Sequence, residues 1–381
     1  MIAGDLFAGA GGISEGFIKA GFEIGFAIDF EKVCCNTYQA NHLDTYVKQG
    51  DICKIDPQKL LDDASLSKDD ITLIVGGAPC QGFSTLGNKN EENPKNNLFK
   101  EYMKFVKHII PEFIIFENVT GFYKLYGGKA MKAVVKGFSD LEYSVEYNVL
   151  NALNYGVPQR RERTLIIAYK EGYEFEWPKQ THDIVKKIDN WEGNIKTPIT
   201  LEKALSDLPL IKAGTESSEY ASEPNCDYQK DRRINSKTLT YHRAPSHGES
   251  LLETIGHVPE GGTIMNVPER LRPNKYFKNS YARLWWDRPS TTVTRNFGTP
   301  SSARCIHPLI DRGLTTREGA RIQSFDDDYI FLGSWASKNL QIGNAVPPLL
   351  AKVIADSVMD SLINNQKKER RDERSEHEKE D

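Results

Sequence analysis

An α/β fold with a mostly parallel sheet is predicted by three features of the sequence. Strand-like and helix-like segments alternate through the first 178 residues, a glycine-rich turn follows the first strand, and a long amphipathic segment near the C-terminus needs a layered domain to pack against. Such alternation implies a sheet covered on both faces by helices.

The elements follow in order. "MIAGDLF" is a short strand leading into a glycine loop, and "ISEGFIKA" is a helix carrying Ile13 and Phe17 on one face. "EIGFAIDF" is a second strand, a third ends at or just before Asp51 in "QGDI", and "ITLIVGG" is a later one. Phe99, Met103, Val106 and Ile110 recur at helical intervals, and "PEFIIFENV", "YSVEYNVLNA" and "RTLIIAYK" are strands. After Trp177 the pattern changes: residues 178–280 are richer in Pro, Ser, Asn and charge, with weak periodicity. One helix is clear there, "TLEKALSDLP", with Thr200 as cap and Pro209 as stop. "TTREGARIQSF" opens with the capping-box spacing Thr315 to Glu318. "NAVPPLLAKVIADSVMDSLI" reads as a helix with proline in its first turn and Leu350, Ile354, Val358 and Leu362 on its apolar side. The α/β domain is its natural host, so the chain is expected to leave that domain and return. The closing "NNQKKERRDERSEHEKED" mixes both charges with no apolar face and is expected to be a frayed or disordered tail.

Composition excludes several classes. The 381 residues suffice for two or three domains, and 39% hydrophobic with 27% charged residues is a soluble globular balance. No apolar stretch approaches the roughly 18 residues that span a bilayer, and the start lacks a secretory signal, so a cytoplasmic location is expected. A net charge of −4 argues against a globally basic coat but leaves room for a local basic face. The six cysteines have neither disulfide-framework nor zinc-type spacing, so no metal site is expected and five of the six read as buried, reduced thiols.

In "DLFAGAGG", Gly9, Gly11 and Gly12 let the backbone turn tightly and approach a ligand. Asp29 ends the second strand, where a carboxylate can hold ribose hydroxyls, and Asp51 can accept from an adenine amino group. NAD, FAD and S-adenosylmethionine are rival ligands for such a turn. The spacing is not Gly-x-Gly-x-x-Gly, because Ile13 and Ser14 follow directly. The carboxylates suit a cofactor bearing an amino acid and a sulfonium better than one bearing a pyrophosphate. A second feature is "GGAPCQGFS", which places Cys80 where a strand ends and a polar loop begins. Backbone N–H groups of that turn can favour the thiolate, the reactive form.

In these segments the sequence resembles the DNA (cytosine-5)-methyltransferases of bacterial restriction–modification type. "DLFAGAGG" looks like the family's cofactor motif and "GGAPCQGFS" like its nucleophile motif. "ENV" at 117–119, "QRRER" at 159–163, "RLWWDRPSTTVTR" at 283–295 and "QIGNAVPPLLA" at 341–351 match further motifs in the family's order. The match runs from Asp5 to about Ala351.

The resemblance implies a Rossmann-like, S-adenosylmethionine-dependent fold with a smaller, irregular target-recognition domain. Its domains would be 1–178 with 338–365 for catalysis and cofactor, 179–337 for target recognition and hinge, and 366–381 as tail. The implied reaction is methyl transfer to carbon 5 of a flipped-out cytosine in a specific duplex sequence, through a covalent Cys80 adduct. Cytosine carbon 5 is a weak nucleophile until a thiolate adds at carbon 6 and makes it enamine-like. Glu117 is the candidate for ring nitrogen 3, Arg163 for the carbonyl oxygen, and Arg161 for support of the site or a phosphate. Cofactor positions carried over are Phe7, Ala8, Gly9, Gly11, Gly12, Asp29, Phe30, Asp51, Ile52, Pro79, Leu98, Asn344 and Ala345. Gln81, Ser84 and Lys95 would meet DNA from the loop after Cys80, where Asn96 stands in place of the family's usual arginine. Asp29 likewise stands where many relatives have glutamate, a shorter reach to the ribose. Arg270, Arg272 and Arg295 are the further DNA-binding candidates. The first two lie in "RLRPNKYFKNSYARLWWDR", which with "YQKDRRINSKTLTYHR" is locally basic and interleaved with aromatics. Duplex DNA, a separately acting cognate restriction endonuclease and a monomeric state are the implied partners and assembly. Two alternatives remain at this stage: a transfer-RNA cytosine-5 methyltransferase, against which Ala78 stands, and a non-catalytic DNA-binding relative, against which Cys80, Glu117 and Arg163 stand.

Overall fold

The computed structural model describes residues 1–79, 98–183, 195–277 and 279–380. The chain forms two compact units, one of Met1–Leu150, Glu162–Lys179 and Leu350–Asp381, the other of Asn151–Arg161 and Gln180–Leu349. Compared with the sequence reading, residues 151–161 and 338–349 belong with the second unit.

The first unit is built on seven strands: β1 (Ile2–Leu6), β2 (Glu23–Asp29), β3 (Tyr46–Gln49), β4 (Ile71–Gly76), β5 (Phe113–Val119), β6 (Ser144–Asn151) and β7 (Glu162–Tyr169). Their order is β3-β2-β1-β4-β5-β7-β6. The β1–β2, β2–β3, β1–β4 and β4–β5 pairs are parallel, and β5–β7 is antiparallel. Strand order therefore reverses between β1 and β4, and open α/β sheets bind ligands at the carboxyl ends of such a switch point. Helices α1 (Gly12–Lys19), α2 (Lys32–Asn41), α3 (Pro57–Asp63), α4 (Leu98–Ile109) and α5 (Lys129–Ser139) follow β1, β2, β3, β4 and β5.

The core of this unit joins Leu6, Phe26, Ile74, Ile114 and Phe116 of the sheet to Tyr102, Phe105 and Val106 of α4 and Val134 and Phe138 of α5. Ile110, expected on the buried face of α4, is half exposed and has φ 51°. Pro111 follows it, and a residue before proline is pushed out of the helical region; Ile109 takes the buried place.

The second unit contains α6 (Leu201–Leu205), α7 (Asp227–Arg233), α8 (Glu249–Gly256), β8 (Ala282–Arg283), β9 (Arg304–Ile306), α9 (Thr316–Ile322) and α10 (Trp335–Asn344). Thr200 caps α6 through the Lys203 N–H, and the Thr315–Glu318 capping box of α9 closes in both directions. With so little regular structure, many of its buried carbonyls have no ladder partner, and arginines supply the donors. Arg283 donates to the carbonyls of Val258, Ile255, His307 and Ile310. Arg321, fully buried, binds Asp207 at 3.0 Å and Asp327 at 2.6 Å, and Arg312 meets Glu318 with both terminal nitrogens.

Helix α11 (Pro348–Glu380) completes the chain. Leu350, Ile354, Val358 and Leu362 are all buried, as their spacing predicts, and burying each such side chain contributes about 1.5–3 kcal/mol. The charged segment from 366 onward continues this helix instead of leaving it. Its Glu, Lys and Arg are strong helix formers, and neither glycine nor proline interrupts them. Among the described residues no helix is long and apolar enough to cross a membrane, and no cluster of His, Cys, Asp or Glu could hold a metal ion.

Asp5 of β1 is wholly buried and accepts a 2.6 Å hydrogen bond from Ser14, which in turn accepts one of 2.6 Å from Tyr38. Its other oxygen has no partner among the described residues. Burial, with a lesser push from the Asp29 charge, raises the Asp5 carboxyl to about 7 against the counter-effect of Ser14. A carboxyl raised in the folded state contributes stability that is full below its unfolded pKa and lost as pH rises through the folded one. Asp5→Asn, which cannot ionise, should therefore gain stability relative to the wild type between pH 5 and pH 8. The gain should amount to a few kcal/mol at most, and urea unfolding at the two pH values measures it.

Candidate active site

The site begins where β4 ends. Gly76 has φ +146°, and a Cβ there would collide with the Leu6 carbonyl of β1. A Cβ on Gly77 would collide with the carbonyl and the carboxylate of Glu117 on β5. Only a glycine pair lets the chain pass between these neighbours. Asn118 fixes what comes next: buried, it donates a 2.9 Å hydrogen bond to the Ala78 carbonyl. The backbone is thus held up to Pro79, one residue before Cys80. Cys80, Gln81, Ser84 and Lys95 lie outside the described residues.

Glu117, near the end of β5, forms an ion pair of 2.7 Å with Nε of Arg163, and both side chains are largely buried. Antiparallel pairing sets Arg163 of β7 opposite Val119 and Leu165 opposite Glu117. Arg163 donates from Nη1 to the Glu162 carbonyl, and its Nη2 makes no hydrogen bond among the described residues. The arrangement offers a carboxyl and a guanidinium donor side by side at a strand end.

Arg161 is placed otherwise. It is buried within the second unit and donates to the carbonyls of Val293, Gly343 and Ala345 at 3.1, 2.8 and 2.9 Å. These bonds clamp the "STTVTR" and "GNAVPP" segments together, where the sequence reading expected Arg161 to support the site or a phosphate. Gln159 adds to this clamp, donating to the Ile322 carbonyl at 3.0 Å and accepting from the Val293 N–H at 3.0 Å.

On the cofactor side, a cavity of about 570 Å³ is lined by Phe7, Ile28, Asp29, Phe30, Glu31, Gly50, Asp51, Ile52, Cys53, Pro79 and Leu98. Seven of these are among the residues the sequence singled out as cofactor positions: Phe7, Asp29, Phe30, Asp51, Ile52, Pro79 and Leu98. Ile28, Glu31, Gly50 and Cys53 were missed, and each is a chain neighbour of a residue that was found. Phe7 and Gly9 both take positive φ, 62° and 57°, so the loop after β1 turns back sharply. Asp29 holds that loop, accepting from the Gly9 N–H at 2.8 Å, and uses its other oxygen for the Glu31 N–H at 2.8 Å. Burial raises its carboxyl and these backbone bonds oppose the rise. Asp51 accepts from the Cys53 N–H at 3.1 Å, and the Phe30 ring is exposed beside the cavity, with its carbonyl held by Gln49. Apolar walls with the carboxylates of Asp29, Glu31 and Asp51 among the lining suit a purine nucleoside: the walls take the base, carboxylates its hydroxyls and amino group. Ala8, Gly11 and Gly12 shape the adjoining loop and helix start, the Ala8 N–H donating to Ile28 and the Gly11 N–H to Ala8. Asn344 and Ala345 are at the end of α10 in the second unit and are not among the lining residues.

The thiols follow suit. Cys34, Cys35 and Cys305 are buried, and burial drives the first two up to about 12 and 11. Cys53 is exposed and Cys226 half-buried, against the expectation of burial, because Cys53 lies in a single 3-10 turn at the surface and Cys226 at the N-cap of α7.

The basic candidates separate sharply. Arg270 is largely exposed, 3.7 Å from Glu253, and Arg295 is exposed. Arg272 instead donates to the carbonyls of Val267 and Met265 at 2.7 and 3.0 Å, a brace within its own loop. Arg283 is buried, as are Arg232 and Tyr228 of "YQKDRR", while Lys230 of the same stretch is exposed. Lys278 lies outside the described residues. Asn118→Ala should cost about 1–3 kcal/mol of stability by stranding the buried Ala78 carbonyl, measurable by denaturant unfolding.

Comparison with known proteins places this geometry. The family model for C-5 cytosine-specific DNA methylase matches residues 1–360. The chain is 36% identical over 363 residues to the Type II methyltransferase M1.HphI of Haemophilus parahaemolyticus, covering 94% of this chain and 87% of that protein. It is 36% identical over 377 residues to M.DdeI of Desulfomicrobium norvegicum, covering 93% and 87%. In fold it is similar to a prophage-encoded protein of E. coli described as a DNA modification methyltransferase, with TM-score 0.75, 22% identity and coverage of 95% and 99%. It is also similar in fold to the S. pombe Dnmt2 methyltransferase, with TM-score 0.60, 19% identity and coverage of 93% and 97%. The cavity beside β1, β2 and β4 accordingly suits the family's methyl donor, S-adenosylmethionine. With a family match spanning nearly the whole chain, and with the glycine loop, the β4 exit and the Glu117–Arg163 pair in place, the chain belongs to the C-5 cytosine-specific DNA methylase family.

Proposed function

We propose that this DNA cytosine-5 methyltransferase acts on a cytosine turned out of the duplex, through a transient bond from Cys80 to carbon 6 of the base. The observation that carries the reading is the Glu117–Arg163 pair pressed against Gly77, three residues before Cys80. Extrusion costs a few kcal/mol of stacking and pairing. S-adenosylmethionine, when bound, supplies an electrophilic methyl group. Pro79 lines the cofactor cavity one residue before Cys80, so the nucleophile would emerge beside the donor.

The protein's own groups divide the work. The Cys80 thiolate adds to carbon 6, and Glu117 holds or supplies a proton at ring nitrogen 3, offsetting the charge that develops on the ring. Arg163, kept in place by Glu117, offers its remaining donor to the carbonyl oxygen. After methylation the carbon-5 proton leaves to solvent and the thiolate is expelled. Asp29 and Asp51 would hold the ribose and adenine of the cofactor between Phe30, Ile52, Leu98 and Phe7. Gln81, Ser84 and Lys95 would close over the substrate, Lys95 serving a phosphate.

The second unit would choose the target, with Arg270 and Arg295 on phosphates and base contacts from its loops. Its Type II methyltransferase relatives support a place in restriction–modification. On this reading the enzyme would be a cytoplasmic monomer that protects host DNA from a separately acting endonuclease.

Cys80→Ala should abolish methyl transfer to duplex DNA, and the wild type should form a covalent adduct with a duplex bearing 5-fluorocytosine at the target. Turnover by the variant near that of the wild type, or no adduct at a site shown by bisulfite sequencing to be methylated, would remove this mechanism. Arg270→Ala should weaken DNA binding and lower the slope of log affinity against log salt by about one contact; an unchanged slope would move the phosphate contacts elsewhere.

A further inference from the structure

We infer that Phe277 is an apolar wedge that enters the DNA stack and helps set target choice, with Met265 and Tyr276 as its flanks. The inference rests on the reading of the second unit as the DNA-reading part. Phe277 is 79% exposed, Met265 60% and Tyr276 41%. Single exposed apolar residues are common on protein surfaces, but three that share one built platform are informative.

The platform is rigid. Beneath it Ile264, Val267, Ile255, Val258 and Ile306 form a small core of their own, with Leu271 packed against it. Ile264 and Val267 are buried in this layer, and Met265 and Asn266 between them are exposed. Arg272 ties the 265–267 segment to its own by two carbonyl bonds, and the Tyr276 hydroxyl reaches the Met265 sulfur at 3.8 Å. The turn bearing Phe277 is closed from below by buried Ser280, whose hydroxyl accepts from the Phe277 N–H at 3.0 Å and donates to the Phe277 carbonyl at 2.8 Å. A loop that was merely mobile would not need its apex pinned at both backbone groups.

The rim decides what the wedge meets. Arg270 and Lys275 are exposed on the same segment, and Asn266 and Asn274 add neutral polar groups. Segment 265–277 carries Arg270, Arg272 and Lys275 against Glu269 alone, with Arg270 also 3.7 Å from Glu253. An exposed aromatic ring on a segment of net positive charge complements a polyanion with stacked apolar faces inside it, which describes duplex DNA. A second copy of this chain, net charge −4, offers no stacked interior. Side chains of this type pry open base steps, and the cost of a step depends on its sequence, so a wedge selects sequence without a hydrogen bond to a base.

The test compares wild type, Phe277→Ala and Phe277→Trp on a duplex carrying the site that bisulfite sequencing maps for the wild type. Methyl incorporation gives KM for DNA and kcat separately, bisulfite sequencing of plasmid DNA gives the site profile, and a thermal melt checks the fold, which an exposed ring should not hold up. Phe277→Ala should raise KM for DNA about tenfold or more and alter discrimination at one base step, and Phe277→Trp should restore most of both. If Phe277→Ala keeps the wild-type KM within twofold and the same profile while the wild type methylates normally, the wedge is wrong and the proposed reaction stands. If the variant instead loses only a concentration-dependent self-association seen by sedimentation, the patch is a contact between copies and the wedge is likewise overturned. Absence of methylation by the wild type on any duplex would overturn both the reaction and the wedge.

Discussion

The close approach of three strand ends governs everything that follows in the catalytic unit. β4 leaves the sheet between β1 and β5 with no room for a side chain at Gly76 or Gly77, because the Leu6 carbonyl and the Glu117 backbone and carboxylate occupy that space. One side of this exit faces the glycine loop that Asp29 ties back through the Gly9 N–H. The other carries Glu117 and Arg163. The cavity lined by Pro79 and the Glu117–Arg163 pair are thus joined through a few residues of backbone. Asn118 secures the link by a bond from within β5 to Ala78, so the motif "ENV" pairs its carboxylate with Arg163 and uses its amide for placement.

A different constraint shapes the second unit. Irregular backbone can be buried only if its carbonyls find donors, and arginine brings five in a planar fork. Arg161, Arg283, Arg312, Arg317 and Arg321 each serve carbonyls, carboxylates or both in this way. Replacing a strand ladder by side-chain donors frees the loops from strand geometry. It also makes each arginine hard to remove, since deleting one leaves several acceptors or a carboxylate such as Asp207 stranded. Basic residues in this unit are therefore poor evidence of DNA contact until their burial is known.

Motif residues were the most legible part of the site. The glycine loop, Asp29, Phe30, Asp51, Ile52, Pro79 and Leu98 are chemically distinctive and close in sequence to strand ends, and the structure gathers most of them round one cavity. The strands and the apolar stripe of α11 were legible for a similar reason: hydrophobic periodicity reports burial directly. Ile110 fails that rule because the proline beside it overrides periodicity. The charged C-terminal segment fails in the other direction, since a polar face is no bar to helix when every residue favours one.

By itself the sequence determined the α/β architecture and the family, because these rest on local patterns and on motifs whose residue types and order are distinctive. Tertiary structure alone decided how neighbouring arginines divide their labour. Arg161 and Arg163 are two residues apart on one motif, yet one clamps carbonyls in the second unit and the other meets Glu117 in the first. It also decided that Arg272 and Arg283 bind backbone while Phe277 stands in solvent. A side chain's partner depends on which distant backbone groups lack one, and that shortage exists only once the chain has folded.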